Sequence, residues 1–213
     1  FVKMTNLSKK IYAGLENYID LFNDSLFTTG IKNTASLAVT TLTVEVLLGF
    51  LIARILFELS SKRGINFLRS AYLVPIMITP IVVGVAANYI FTPQLGIANY
   101  LLGSVGIEPI GFLGIAIPAR LTVLAINVWQ WTPFMFLLLL AGLLSLPKEP
   151  YLAASIDGAG PVRTFVYVTF PLMAPISIGA IIIRLIEASK IMDTVYVLTS
   201  GGPGTSTETS SFY

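Results

Sequence analysis

Four stretches of the chain are apolar over about the 20 residues that a helix needs to cross roughly 30 Å of hydrocarbon. Thr34 to Ala53 carries one acid, Glu45, while Ala71 to Phe91 and Leu121 to Leu144 carry no charge. A fourth segment, from Pro171 to about Leu198, stays compatible with a helix although its second half is charged. The strict alternation of a membrane barrel strand is absent, and a helix satisfies its own backbone in lipid. The pattern therefore predicts an all-α integral membrane protein with spans at about 34–56, 71–91, 121–144 and 171–198. Pro75, Pro80, Pro133 and Pro175 fall inside these runs and predict kinks.

Composition narrows the class. The 213 residues are 55% hydrophobic and 11% charged, with a mean hydropathy of +0.82. That is far from the roughly 25% charged of a soluble domain. Thirteen Lys and Arg against eleven Asp and Glu leave a net charge of +2, too balanced and scattered for a nucleic-acid partner. With no Cys and no His, disulfides, soft-metal sites and His-based triads are excluded. Phe1 in place of a Met, and an end just after a Gly/Ser/Thr-rich stretch, read as a fragment. Residues 1–33 show no signal-peptide pattern and read as an external N-terminal segment.

Basic residues near the span ends set the orientation. Arg54, Lys62, Arg63, Arg69, Lys148 and Arg163 flank the 57–70 and 145–170 linkers, against Lys32 and Arg120 on the other side. Lys3, Lys9 and Lys10 argue the other way from farther off. The positive-inside rule puts both linkers in the cytoplasm, with 94–119 and 199–213 outside. The glycine-punctuated, largely apolar 94–119 loop reads as a short interfacial helix plus turns, a packed cap more than a water-filled loop. The 145–170 linker contains SLPKEPYLAASIDGAGPVRT: helix formers, then Gly158, Gly160 and Pro161, hence a helix, a sharp bend and a second helix.

The spacing in that linker is specific. Ala153-Ala154, three residues, Gly158, nine residues, Val168, one residue, Phe170 and Pro171 resemble the Glu-Ala-Ala-x3-Gly-x9-Ile-x-Leu-Pro signature of ABC-importer permeases. LLSLPKEPYLAASIDGAG, DTVYVLTSGGPGTSTETSSFY, GLENYIDLF and NVWQWTPF are similar to the maltose-type sugar and polyol permeases, from about residue 14 to 213. The resemblance implies a type I import permease core of six helices, of which four are present. It implies a coupling helix docked on a cytoplasmic ATPase, here Tyr151, Leu152, Ala153, Ala154, Asp157, Gly158 and Gly160. It also implies a second permease subunit, an external substrate-binding protein and a sugar or polyol substrate. Leu152 stands where the signature has Glu; Glu149, three residues earlier, is placed to supply that acid. The chain has no GxxxxGK[ST], and Gly201-Gly202-Pro203-Gly204 lacks the following Lys, so no phosphate loop is present. No cofactor is expected here, with ATP and Mg on the partner ATPase.

Polar residues inside the spans are the other candidates. Arg184, Glu187, Lys190 and Asp193 alternate in sign every three residues, so neighbours can pair at i, i+3. They read either as a self-neutralising ladder holding helices in register or as a polar lining of the substrate path. Asn127, Trp129, Gln130 and Trp131 lie mid-span, away from the interfacial belts, and stand between packing and sugar stacking. Asn88 is a weaker case, and Tyr196 is an outer-mouth or anchoring residue. Glu45 has no partner at i±3 or i±4 and could pair with an Arg on another helix. The main reading is a permease working by alternating access in the cytoplasmic membrane, not itself an enzyme. Its rivals are a secondary transporter or channel using the charge ladder as an ion relay, and a membrane scaffold.

Overall fold

The computed structural model describes the backbone of residues 2–6, 9–12, 14–60 and 63–213, and side chains from residue 14 onward within those ranges. Lys62 and the side chains of Lys3, Lys9 and Lys10, which entered the charge count, lie outside the described parts. A two-stranded antiparallel ribbon, β1 (Val2–Asn6) and β2 (Lys9–Tyr12), precedes the helices.

Helix α1 (Glu16–Asn23) leads into α2 (Ser25–Glu58), whose start is set by Asp24: its carboxylate accepts the Leu26 N–H at 2.8 Å, as an N-cap does. At the other end of α2, Arg69 donates to the Leu56 carbonyl at 2.8 Å, which the helix can no longer satisfy. Arg69 belongs to α3 (Ile65–Tyr72), followed by α4 (Val74–Met77) and α5 (Pro80–Phe91). Then come α6 (Ile97–Ser104) and α7 (Ala116–Ser145). Next are α8 (Glu149–Ile156), α9 (Pro161–Thr164), a π turn (Phe165–Thr169), α10 (Phe170–Ala188) and α11 (Asp193–Thr199).

Three of the described helices are long and apolar enough to cross a membrane, and a fourth span results if the pair Ile65–Met77 and Pro80–Phe91, bent by 88°, counts as one. Pro80 explains this break: its ring excludes a helical Thr79, and Ile78 is extended (ψ 134°). Pro133 and Pro175 instead remain inside continuous helices. The run read as one helix from 171 to 198 is two, α10 ending at Ala188 and α11 starting at Asp193. Threonines are tolerated within these helices because their hydroxyls bond back one turn, as Thr41 does to Leu37 at 2.7 Å.

The chain forms two compact units. One comprises Leu37–Val83 and Leu124–Lys190. Its core is Ala53, Met135, Phe136, Leu139, Leu140, Leu143, Met173 and Ala180, from α2, α7 and α10. Gly49 lets α2 approach α7 so closely that a Cβ there would lie 2.9 Å from Met135 Cβ and 3.0 Å from the Phe136 nitrogen. The exposed side chains on these helices, such as Leu47, Leu51, Ile178 and Ile182, are apolar, as a lipid-facing surface requires.

The other unit gathers residues up to Ser36, Gly84–Val123 and Ile191–Tyr213. Here hydroxyls and amides tie the 199–213 segment down: Asn33 donates to the Thr205 and Glu208 carbonyls at 2.8 and 3.0 Å, and Thr209 to Ile191 at 3.2 Å. Asn88 donates to the Leu198 carbonyl at 3.3 Å. Buried Asn99 pins the turns around α6 by bonds to Pro93 and Ile110, leaving Leu95, Tyr100 and Val105 exposed.

Two outcomes test this packing. Gly49→Val overpacks the α2–α7 contact and costs about 1–3 kcal/mol, lowering the yield of folded protein in detergent. Gly179→Val, where nothing lies within 4 Å of the added Cβ, leaves the yield near the parent's. In the other unit, the Tyr213 hydroxyl donates to Asp24 at 2.6 Å; this bond and the Leu26 N–H hold the Asp24 carboxyl below the usual range, and the same bond pushes the Tyr213 phenol up. Asp24 therefore contributes stability above its unfolded pKa of about 3.9, lost as pH falls through the lower folded value. Tyr213 contributes below about 10, lost as pH rises through its higher folded value. In Tyr213→Phe, the Asp24 carboxyl followed by NMR is expected to titrate at higher pH than in the parent.

Candidate functional site

The 145–170 linker is built as a helix with a fixed stop. Pro150 in the first turn favours the start of α8. At its end the Gly158 N–H bonds the Ser155 carbonyl at 3.2 Å and the Ala159 N–H bonds Ala154 at 2.9 Å. This is a Schellman motif, with Asp157 as C-cap and Gly158 at a φ of +70°. The motif explains Gly158 by backbone conformation, since nothing lies within 4 Å of where its Cβ would be. Gly160, extended at φ −70° and ψ 167°, then caps α9, which opens on Pro161.

The two faces of α8 differ. Ala154 is buried, and the Tyr151 hydroxyl donates to Thr169 Oγ1 at 3.1 Å, tying α8 to the π turn that runs into α10. Leu152 is 62% exposed and Ile156 85%, with Ala153 and Asp157 also exposed. Glu149 is exposed one turn before Leu152, so an acid does stand beside the position where the signature has one. An exposed apolar patch on a short, firmly terminated helix suits contact with another protein.

Within the apolar helices the charges do not pair as a ladder. Arg184, 1% exposed, donates from Nε and Nη2 to the two carboxylate oxygens of Glu45 at 2.7 and 2.9 Å, and Glu45 is wholly buried. The guanidinium carbon also lies 4.5 Å from the Trp131 ring centroid. Glu187 is not the partner of Arg184: it lies toward the exposed side of α10, with Lys190 3.4 Å from its carboxylate and both side chains exposed. Asp193 opens α11, four residues past the end of α10's last turn at Ser189. The reason is desolvation. A buried guanidinium needs a buried counter-charge, and on α10 the buried stripe is Met173, Ala180, Arg184 and Ala188, without Glu187.

The four mid-span residues of α7 divide likewise. Gln130, 1% exposed, donates from Nε2 at 2.9 Å to the Ile78 carbonyl, which the break before Pro80 frees. Its Oε1 has no partner among the described residues. Asn127 is buried, and Trp131 is occupied by Arg184. Trp129 is 53% exposed and lines a cleft of about 440 Å³ with Tyr72, Pro75, Val128 and Thr132. The structure thus brings Trp131 and Arg184 together and leaves Trp129, Glu187 and Lys190 at the surface. Glu45, set apart in the sequence only by its lack of an in-helix partner, is the residue that organises the cluster.

Removing the carboxylate charge separates the two acids. Glu45→Gln strands Arg184 and is expected to cost about 3–5 kcal/mol, seen as loss of folded protein in detergent. Glu187→Gln removes an exposed pair and should change stability by less than about 1 kcal/mol.

Residues 45–212 match the family described as binding-protein-dependent transport system inner membrane component. The trehalose/maltose transport system permease protein MalF of Thermococcus litoralis is 36% identical over 98% of this chain and 70% of its own length. The trehalose transport system permease protein SugA of Mycobacterium tuberculosis is 32% identical over 91% of this chain and 61% of its own length. The chain thus spans about two thirds of the length of these relatives. A crystal structure of a bacterial alginate ABC transporter, in complex with an alginate pentasaccharide-bound periplasmic protein, contains a chain of the same fold. Its TM-score is 0.80 at 24% identity, covering 92% of this chain and 68% of that one. With most of its length inside the family match, and with helices fit to cross a membrane, the chain belongs to the inner membrane permease components of binding-protein-dependent ABC transport systems.

Proposed function

We propose that this chain is the permease subunit of an ATP-driven importer that moves a sugar or polyol across the cytoplasmic membrane by alternating access. The 145–170 loop faces a separate ATPase subunit in the cytoplasm, which binds and hydrolyses ATP with Mg. A second permease subunit completes the path, and an external substrate-binding protein delivers the substrate. The carrying observation is the loop itself: α8 presents Leu152, Ala153 and Ile156 outward, stops at Gly158, and is bonded through Tyr151 to the segment leading into α10. A push on α8 by a closing ATPase would thereby reach a membrane helix as rigid-body motion. The substrate class rests on the sugar-transport names of the relatives and on the half-exposed Trp129 ring in its cleft, an aromatic face open to the apolar face of a sugar. In this reading Arg184 and Trp131 hold α10 and α7 together while Trp129 lines the cleft.

The ion-relay reading is not favoured. Arg184 is committed to Glu45 in a buried bidentate pair, so the four alternating charges do not form a continuous chain of exchange.

The test uses the whole complex. Ile156→Asp together with Leu152→Asp alters only exposed positions and should leave the permease folded. Substrate-stimulated ATPase activity is expected to fall about tenfold or more, a loss of at least ~1.4 kcal/mol in coupling. Undiminished stimulation would remove α8 from the ATPase interface. Uptake of labelled trehalose, maltose and glycerol by the reconstituted transporter, with and without ATP, addresses the substrate and the energy source.

A further inference from the structure

The ends of two apolar helices do not close on one another. Between the C-terminal ends of α2 and α7 and the α8–α9 loop lies a cleft of about 710 Å³, within the ~300–1,000 Å³ usual for small-ligand sites. The lining combines apolar Phe57, Leu144 and Phe165 with polar Arg54, Lys148 and Thr164. Glu58 is the single acid in the lining.

We propose that this cleft binds an anionic phospholipid of the cytoplasmic leaflet, headgroup phosphate on Arg54 and Lys148 and the upper acyl chain along Phe57 and Leu144. Charge complementarity selects this occupant. Glu58 is already engaged: its Oε1 holds Arg54 Nε at 2.8 Å. That bond steadies the guanidinium plane, while neither Nη of Arg54 has a hydrogen-bond partner among the described residues. A guanidinium with its Nη groups unspent matches the oxygen pair of a phosphate, and Lys148 adds a second positive charge. The cleft is therefore net positive where the basic linkers put the anionic leaflet, and cationic pockets between helix ends suit such headgroups. The apolar side chains in the lining distinguish a lipid from a soluble anion, which would gain nothing from Phe57 and Leu144. The outward face of α8, with Leu152 and Ile156, is not part of the lining, so lipid and ATPase would use different sides of the same loop.

The experiment measures lipid retention directly and so does not depend on the transported substrate or on ATP. The full-length permease in its complex is exchanged into nanodiscs of either phosphatidylglycerol or phosphatidylcholine, and retained lipid is counted by native mass spectrometry. The parent is expected to keep phosphatidylglycerol about fivefold more than phosphatidylcholine, and Arg54→Gln with Lys148→Gln to lose that preference at unchanged yield of complex. Both side chains are exposed enough that their removal strands no buried charge, Glu58 being 60% exposed. Equal retention of the two lipids by the parent, or an unchanged preference in the double variant, would overturn the proposal. Displacement of phosphatidylglycerol by inorganic phosphate would also overturn it, by showing a site for a soluble anion.

Discussion

Hydrocarbon offers no partner to a polar group, and the arrangement of this chain follows from having to supply every such partner from within. The strongest demand comes from Glu45 and Arg184, two full charges taken almost wholly out of solvent. Their bidentate geometry fixes the faces that α2 and α10 present to each other, and the flat guanidinium then becomes the surface on which Trp131 lies. The same demand appears in smaller form at Ile78, whose carbonyl, released by the break before Pro80, is met by the amide of Gln130. What had the look of a polar lining is in good part internal bonding. The groups left uncommitted, Trp129 above all, are the ones available to a ligand.

At the other end of the same helices the constraint relaxes, and the chemistry changes with it. Water at a membrane surface can solvate a charge, so Arg54, Glu58 and Lys148 remain partly exposed. The Schellman stop at Gly158 confines that freedom: a helix that unravelled at its end would absorb a push instead of passing it on. Under the proposed coupling role, rigidity in the loop and close packing of α2 on α7 at Gly49 serve one requirement, that a local contact move a whole element.

Much of this was legible in the residues. Apolar runs located the long helices, and the Ala153-Ala154 to Gly158 spacing located a helix with a stop. The losses have physical causes. The rule that residues three apart are neighbours holds for Arg184 and Glu187, but burial outranks adjacency, and the partner chosen lies 139 residues away where no local rule looks. Trp129 and Trp131 are two positions apart and so point about 200° apart around α7. Which of the two faces the interior depends on Arg184, from another helix. Four prolines were visible inside the runs, yet Pro80 stands at a sharp break, Pro75 just past the interruption between α3 and α4, and Pro133 and Pro175 inside continuous helices. Whether freed carbonyls find a donor is decided by tertiary neighbours such as Gln130.

The separation of Glu45 from Arg184 also has a meaning in time. A ribosome adding about 5–20 residues per second needs roughly 7–28 s to cover that distance. For that interval α2 exists with its carboxylate made and its counter-charge not yet synthesised. The early chain must be sheltered by water or by the insertion machinery until α10 arrives. Assembly of the bundle is thereby ordered, with closure around α2 waiting on α10.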